Sequence, residues 1–157
     1  MLIHRKRPPQ QTTGGVEEGM KVHYMSKTVE WATPQMLFDE LNKEFQFTLD
    51  PCSTKENAKC EKFYTKEDDG LAQSWKGERV FMNPPYGRVI GDWVKKAATG
   101  GADIVVCLLP ARTDTRWFHD YVYGKAGVRF IRGRVKFGDG KQSAPFPSMI
   151  VIFPLTN

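Results

Sequence analysis

A continuous apolar run from Ile104 to Leu109, ended by Pro110, constrains the fold of this chain more than any other feature. The run is too short to cross a membrane, and it lacks the alternation of a strand with one solvated face. Runs of this kind form strands that are covered on both faces, as in parallel sheets with helices on either side. The sequence therefore predicts an α/β protein built around a central sheet.

Shorter patterns on both sides of this run alternate between helix and strand. Leu37, Leu41 and Phe45 recur at helical spacing and predict a helix that ends near Phe45, with Thr33 as N-cap and Pro34 at its first position. The other predicted elements are helices over 89–97 and 117–122 and strands over 47–49, 80–82, 128–131, 135–137 and 148–153. This alternation predicts a three-layer α/β/α sandwich with a mostly parallel sheet.

The length of 157 residues fits a single domain. Residues 1–27 contain Pro8-Pro9, Gly14-Gly15 and few large apolar side chains, so they are predicted to form a disordered lead. One folded domain is then expected over residues 28–157. The basic start does not have the pattern of a signal peptide.

Cysteine and histidine usage predicts neither a disulfide framework nor a metal site. The histidines at positions 4, 23 and 119 are scattered without the spacing of metal ligands. An odd number of cysteines favours a reducing, cytoplasmic setting. These cysteines are Cys52, Cys60 and Cys107.

The net charge of +5 is unevenly distributed. Residues 88–157 carry 11 Lys and Arg against 5 Asp and Glu, whereas residues 1–87 carry 12 against 13. The second half is therefore the candidate face for a polyanion, with a solvated surface as the alternative.

Three polar segments follow predicted strands: Asp50-Pro-Cys-Ser, Asn83-Pro-Pro-Tyr and Pro110-Ala-Arg-Thr. In open α/β sheets, ligands bind outside the carboxyl ends of the strands, so we expect all three segments to line one rim.

The segment Asn83-Pro84-Pro85-Tyr86 carries the clearest chemical signal. Its two prolines fix the backbone and remove two N–H donors, which leaves the Pro84 carbonyl without a competing donor beside it. The Asn83 side chain offers a second carbonyl, and Tyr86 offers a flat face. This set suits an aromatic amine or an amide, because two fixed carbonyls favour the positive charge that develops when the nitrogen attacks. The alternative is a proline-rich turn with a packing tyrosine.

A series of motifs over residues 28–154 resembles the phage-type DNA N6-adenine methyltransferases. The matching segments are Trp31-Ala-Thr-Pro, Leu49-Asp50-Pro-Cys-Ser, Asp69-Gly-Leu, Asn83-Pro-Pro-Tyr, Leu108-Leu-Pro-Ala-Arg-Thr-Asp-Thr-Arg-Trp-Phe-His119, Phe130-Ile-Arg-Gly-Arg-Val-Lys-Phe137 and Ser143-Ala-Pro-Phe-Pro-Ser148. The resemblance implies a Rossmann-like fold with an antiparallel final strand, S-adenosylmethionine as methyl donor and adenine in DNA as acceptor. It also implies a phage or prophage protein of the host bacterial cytoplasm.

The resemblance also implies roles for individual residues. Asp50, followed by Pro51 and Cys52, is expected to meet the methionine amine of the cofactor, and Asp69 its adenine amine or ribose. The segment with Trp31, Thr33 and Pro34 is expected near the methionine end. The catalytic tetrapeptide matches Asn83, Pro84, Pro85 and Tyr86. The glycine-rich loop usual after the first strand of methyltransferases is absent here.

Only 33 positions separate Asn83 from Asp50, which leaves no room for a recognition domain between them. Recognition of the DNA sequence must therefore come from loops. We therefore expect weak sequence specificity or help from a second copy in a homodimer. The target adenine must be flipped out of the duplex or be single-stranded. Phe137 packs either on that base or in the core. The candidate phosphate contacts are Arg112, Arg116, Arg132, Arg134 and Lys136.

Several alternatives remain at this point. Pro51-Cys52 is the dipeptide that carries the thiolate of cytosine C5 methyltransferases. The amine chemistry also suits cytosine N4 and the glutamine amide of a protein. The chain could also be an inactive DNA-binding protein with this fold. His119 is either a general base or a structural residue.

Overall fold

The computed structural model describes residues 31–155, so the predicted disordered lead over residues 1–27 lies outside the described residues. The strands are β1 (Leu49–Asp50), β2 (Lys62–Phe63), β3 (Arg79–Met82), β4 (Ile104–Pro110), β5 (Gly127–Phe130) and β6 (Ser148–Phe153). The helices are α1 (Gln35–Phe45) and α2 (Ile90–Thr99), with a 3₁₀ turn over Gly70–Ala72 and a π-helical turn over Phe118–Val122. No helix within residues 31–155 is long and apolar enough to span a bilayer.

The six strands form one mixed sheet in the order β2-β1-β3-β4-β6-β5. Strands β2, β1, β3 and β4 pair in parallel, whereas β6 is antiparallel to both β4 and β5. The prediction of a mostly parallel sheet is therefore wrong. The reason is that β6 lies inside the sheet and not at its edge, so one reversed strand produces two antiparallel ladders. The antiparallel direction expected for the final strand is confirmed.

Strand β4 lies at the centre of the fold, and all seven of its residues are buried. Because side chains alternate along a strand, Val105 and Cys107 pack with α2 and the π-helical turn on one face. Val106 and Leu108 pack with α1 on the other face. The double coverage predicted for this run is confirmed, with one α-helix on each face of the sheet.

Some local predictions are wrong. Pro34 occupies the N-cap of α1, and Thr33 makes no capping bond because its hydroxyl contacts Asn83 instead. The predicted helix over 117–122 is only a π-helical turn. The predicted strand over 135–137 is a loop whose Val135 and Phe137 are buried on the α1 face.

Candidate active site

The three polar segments do meet at one rim of the sheet. Strands β1, β3 and β4 are parallel neighbours, and they end at Asp50, Met82 and Pro110. The Cys52 thiol donates a hydrogen bond to the Asn83 backbone carbonyl over 3.3 Å. The Tyr86 hydroxyl donates to the Leu108 carbonyl over 3.1 Å. The middle segment is thus joined to the Asp50 segment and to strand β4, at whose end the third segment begins.

The side-chain amide of Asn83 has a defined orientation. Its Nδ2 donates to the Trp31 carbonyl at 2.7 Å and to the Thr33 hydroxyl at 3.0 Å. The Trp31 carbonyl can only accept, so the amide nitrogen and not the oxygen must face it. Oδ1 therefore points the other way, where it is buried and has no hydrogen-bond partner among residues 31–155. Buried carbonyl oxygens are rarely left unpaired, and this one is available for an N–H group of a ligand.

An aromatic cluster lies beside this amide and consists of Trp31, Tyr86, Phe137 and Phe146. The Phe146 ring centroid is 5.0 Å from that of Trp31 and 5.6 Å from that of Tyr86, both edge-to-face. Burial raises the pKa of the Tyr86 hydroxyl. The phenol therefore stays protonated, and Tyr86 contributes a ring and not a base.

Two phenylalanines of this cluster differ in how well the sequence predicts them. Phe137 is only 4% exposed and packs in the core, in agreement with one of its two sequence interpretations. Phe146 lies in a matching motif, but the sequence reasoning missed it as a member of the site. Its signal is an aromatic residue between Pro145 and Pro147 in the loop that returns the chain to the sheet.

Asp50 supplies a buried carboxylate at the end of β1. The side chain is 4% exposed, and burial raises its pKa although the Lys59 backbone N–H donates to Oδ2 at 3.0 Å. The Lys59 ammonium donates to Gln35 instead, at 2.8 Å. No cation within residues 31–155 forms an ion pair with this carboxylate. A desolvated carboxylate of this kind favours a positively charged ligand group such as an ammonium.

No group of three His, Cys, Asp or Glu side chains within residues 31–155 could hold a metal ion.

Asp69 is placed beside this carboxylate segment by its neighbour Gly70. The backbone of Gly70 packs so closely on Pro51 that a Cβ at position 70 would lie 2.0 Å from the Pro51 carbonyl oxygen. The Trp75 indole N–H donates to the Gly70 carbonyl at 3.0 Å and holds the turn in place. Asp69 itself has φ +51° and an exposed side chain. The structure thus brings Asp69 to the same end of β1.

Gly70→Ala should destabilise the fold by about 1–3 kcal/mol, because the added methyl group must displace the Pro51 backbone. Urea unfolding measures the loss. Gly91→Ala is the matched control, since its Cβ would lie 3.8 Å from Trp117, an ordinary contact, and alanine favours the helix. Equal stability of Gly70→Ala and the unchanged chain would contradict the close packing of this turn.

The predicted phosphate contacts are all exposed and fall into two groups on the rim. Arg112 and Arg116 follow β4 and line an open cleft of about 430 Å³, to which Arg88 and Lys95 also contribute. The sequence reasoning did not single out these last two cations; Arg88 lies two residues after the tetrapeptide, and Lys95 lies on α2. The other group lies in the loop after β5: Arg132, Arg134 and Lys136.

The surroundings of Cys52 and His119 disfavour the catalytic roles considered for these two residues. Burial raises the pKa of the Cys52 thiol well above its usual value, and the nearby Asp50 carboxylate adds to the effect. A protonated thiol is not the nucleophile that C5 chemistry requires. The His119 ring is hydrogen-bonded through Nε2 to the Thr113 carbonyl at 2.7 Å, which favours a structural role.

Comparison with known proteins shows which family this chain matches. The family model described as DNA N-6-adenine-methyltransferase (Dam) matches residues 23–154. A DNA N-6-adenine-methyltransferase of Haemophilus phage HP1 (strain HP1c1) is 31% identical over 134 residues, which cover 78% of this chain and 77% of that protein. A protein of the same name from Escherichia phage T1 is 37% identical over 105 residues, 64% of this chain and 44% of its own. The putative methyltransferase YfdM of Escherichia coli (strain K12) is 42% identical over 65 residues, 36% of this chain and 70% of that protein.

Proposed function

The chain belongs to the phage-type DNA N-6-adenine-methyltransferase (Dam) family, and from this premise we propose that it transfers a methyl group from S-adenosylmethionine to the exocyclic amine of adenine in DNA. The observation that carries the proposal is the Oδ1 of Asn83, which is buried and has no hydrogen-bond partner among residues 31–155. An adenine amine carries two hydrogens and supplies the N–H donor that this oxygen lacks.

The tetrapeptide acts on the amine in this proposal. Asn83 Oδ1 and the Pro84 carbonyl accept its two hydrogens and stabilise the charge that grows on nitrogen during attack. The rigid Pro84-Pro85 backbone keeps these acceptors in place before the reaction. Tyr86 stacks on the base and aims its nitrogen. The product is a cationic amine that loses its proton to water, so no side-chain base is required.

The methyl donor is held by the other segments of the rim. When bound, S-adenosylmethionine supplies an electrophilic methyl carbon on a positively charged sulfur. The buried Asp50 carboxylate fits the amine of its methionine part, with Pro51 and Cys52 forming the adjoining backbone. Trp31 and Pro34 pack near the methionine end. Asp69 contacts the adenine amine or the ribose.

The fold supports the same assignment. We propose that the sheet is that of the Rossmann-like methyltransferases, since β6 is reversed next to β4 as the family resemblance implied. One domain over residues 28–157 then carries the methyl transfer, in the host bacterial cytoplasm. Since no recognition domain fits between Asp50 and Asn83, this domain reads DNA through its loops with weak specificity or with the help of a second copy. The flipped or single-stranded adenine reaches the rim while the basic side chains hold phosphates.

Methyl transfer from labelled S-adenosylmethionine to unmethylated duplex DNA tests the proposal directly. The DNA is digested to nucleosides, which are separated by mass spectrometry, and denatured DNA is assayed in parallel. N6-methyladenine is the expected product. N4-methylcytosine would keep the mechanism and change the base. Donor binding without any labelled nucleoside would overturn the DNA assignment and indicate another acceptor such as a protein glutamine. No donor binding would favour an inactive DNA-binding protein.

Reversing Arg132 and Arg134 to glutamate should weaken DNA binding and flatten its dependence on salt, with the slope falling by about 0.9 for each phosphate that is no longer neutralised. Both side chains are exposed on the loop after β5. Binding is measured by fluorescence anisotropy across a salt series. The matched control reverses Lys76 and Lys125, exposed cations that precede β3 and β5 at the opposite edge of the sheet. The same salt slope in both double variants would place the DNA face elsewhere.

A further inference from the structure

We infer that Thr33 is a positioning residue for Asn83 and does not bind the methyl donor. The inference rests on the proposed function, in which Asn83 Oδ1 accepts a hydrogen of the target amine. Family resemblance placed Thr33 near the methionine end of the cofactor. The structure instead shows its hydroxyl 3.0 Å from Asn83 Nδ2.

The contact uses the full donor capacity of the amide. One hydrogen of Nδ2 goes to the Trp31 carbonyl and the other to the Thr33 hydroxyl. Rotating the amide by half a turn would bring Oδ1 against the Trp31 carbonyl, where two acceptors meet, and would leave the Thr33 hydroxyl to donate instead of accept. It would also present a donor to the target amine, which is itself a donor. Oδ1 is thus fixed toward the ligand before any ligand arrives.

Thr33 contributes a side-chain acceptor to the Asn83 amide, whereas Trp31 contributes a main-chain carbonyl. Thr33 is 7% exposed, so water does not compete well for its hydroxyl. The following Pro34 restricts the backbone of Thr33 to the extended region. The acceptor is therefore held by a buried side chain on a stiff segment.

The role also explains why Thr33 does not cap α1. Threonine before a helix ordinarily accepts a bond from the first-turn N–H groups, but α1 begins here without any side-chain cap. The hydroxyl is turned toward the rim, where it serves the amide of a residue 50 positions further along the chain.

Thr33→Val tests the inference, because it keeps the shape of the side chain and removes the acceptor. We expect kcat for adenine methylation to fall by about 10²-fold, since the acceptor oxygen is no longer held in place. The Kd of S-adenosylmethionine, measured by calorimetry, should stay unchanged. Thr33→Ser keeps the hydroxyl and should restore kcat. If Thr33→Val does not fold, Thr33→Cys replaces it. A thiol is only a weak hydrogen-bond acceptor, so the same loss of kcat is expected.

A second readout does not depend on turnover. The side-chain amide protons of Asn83, assigned by their loss in Asn83→Ala, should exchange slowly with water in the unchanged chain and in Thr33→Ser. In Thr33→Val they should exchange faster. A merely structural role would lower stability without this pattern of loss and rescue.

The outcomes separate the inference from the function it rests on. Weaker donor binding with unchanged kcat in Thr33→Val would restore the cofactor role, and unchanged kcat and exchange would remove any role toward Asn83. If the unchanged chain forms no N6-methyladenine, the proposed function fails. The amide exchange would then still decide whether Thr33 orients Asn83.

Discussion

Asn83→Ala should lower kcat for adenine methylation by about 10²- to 10³-fold and leave the Kd of S-adenosylmethionine unchanged. Among the described residues the side chain is hydrogen-bonded only through its nitrogen. In the proposed mechanism its oxygen accepts from the substrate amine and stabilises it most when charge develops on the nitrogen. Single-turnover kinetics separates this loss from effects on product release.

The comparison variant for this prediction is Cys52→Ala. Its thiol donates to the Asn83 main-chain carbonyl, desolvation raises its pKa, and the proposed amine chemistry uses no thiolate. We expect Cys52→Ala to keep most of the activity. An active Asn83→Ala together with an inactive Cys52→Ala would show that the amine mechanism is wrong and that a thiol mechanism operates.

Asp50→Asn should weaken S-adenosylmethionine binding by about 100-fold. In the proposed complex the ammonium of S-adenosylmethionine pairs with the buried Asp50 carboxylate, and this variant removes that charge. Calorimetry gives the Kd, and Asp103→Asn is the control, since Asp103 is exposed at the opposite edge of the sheet. Undiminished donor affinity in Asp50→Asn would move the methionine end of the cofactor to another residue.

The same variant should be at least as stable as the unchanged chain in the absence of donor. Burial raises the pKa of Asp50, so its ionised form disfavours the folded state. This cost is absent below the ordinary pKa of the carboxyl and develops as the pH rises through the raised folded pKa. The stability gap between Asp50→Asn and the unchanged chain should therefore be largest at neutral pH and close in acid. A chain destabilised by Asp50→Asn at pH 7 would contradict this.

The sequence predicted the elements whose signals are local. A central strand covered on both faces was predicted from the run Ile104 to Leu109, and a common rim from the three proline-containing segments. Both predictions succeed because apolar runs and prolines determine the structure of their own segment. The predicted strand over 47–49 overlaps β1 only at Leu49, and the two-residue strand β2 is too short to leave a pattern of its own. The place of β6 between β4 and β5 depends on pairing with distant residues, which no local pattern encodes.

The site shows the same division. The sequence singled out Asn83 and Tyr86 because the chemistry proposed for them depends on their own side chains. The Trp31 carbonyl was not singled out, since every residue has one and only the fold brings this one to Asn83. Local rules favour the Thr33 hydroxyl as a helix cap, whereas in the structure Pro34 is the N-cap and the hydroxyl contacts the amide of Asn83.

The inward position of β6 has a consequence for how the protein is made. Synthesis proceeds from the amino end, and β5 can join the sheet only through β6. Until residues 148–153 leave the ribosome, β4 has no neighbour on one side and the loop with Phe146 has no anchor beside Tyr86. A nascent chain that ends before Ser148 should therefore carry the whole catalytic tetrapeptide and still be unable to methylate DNA.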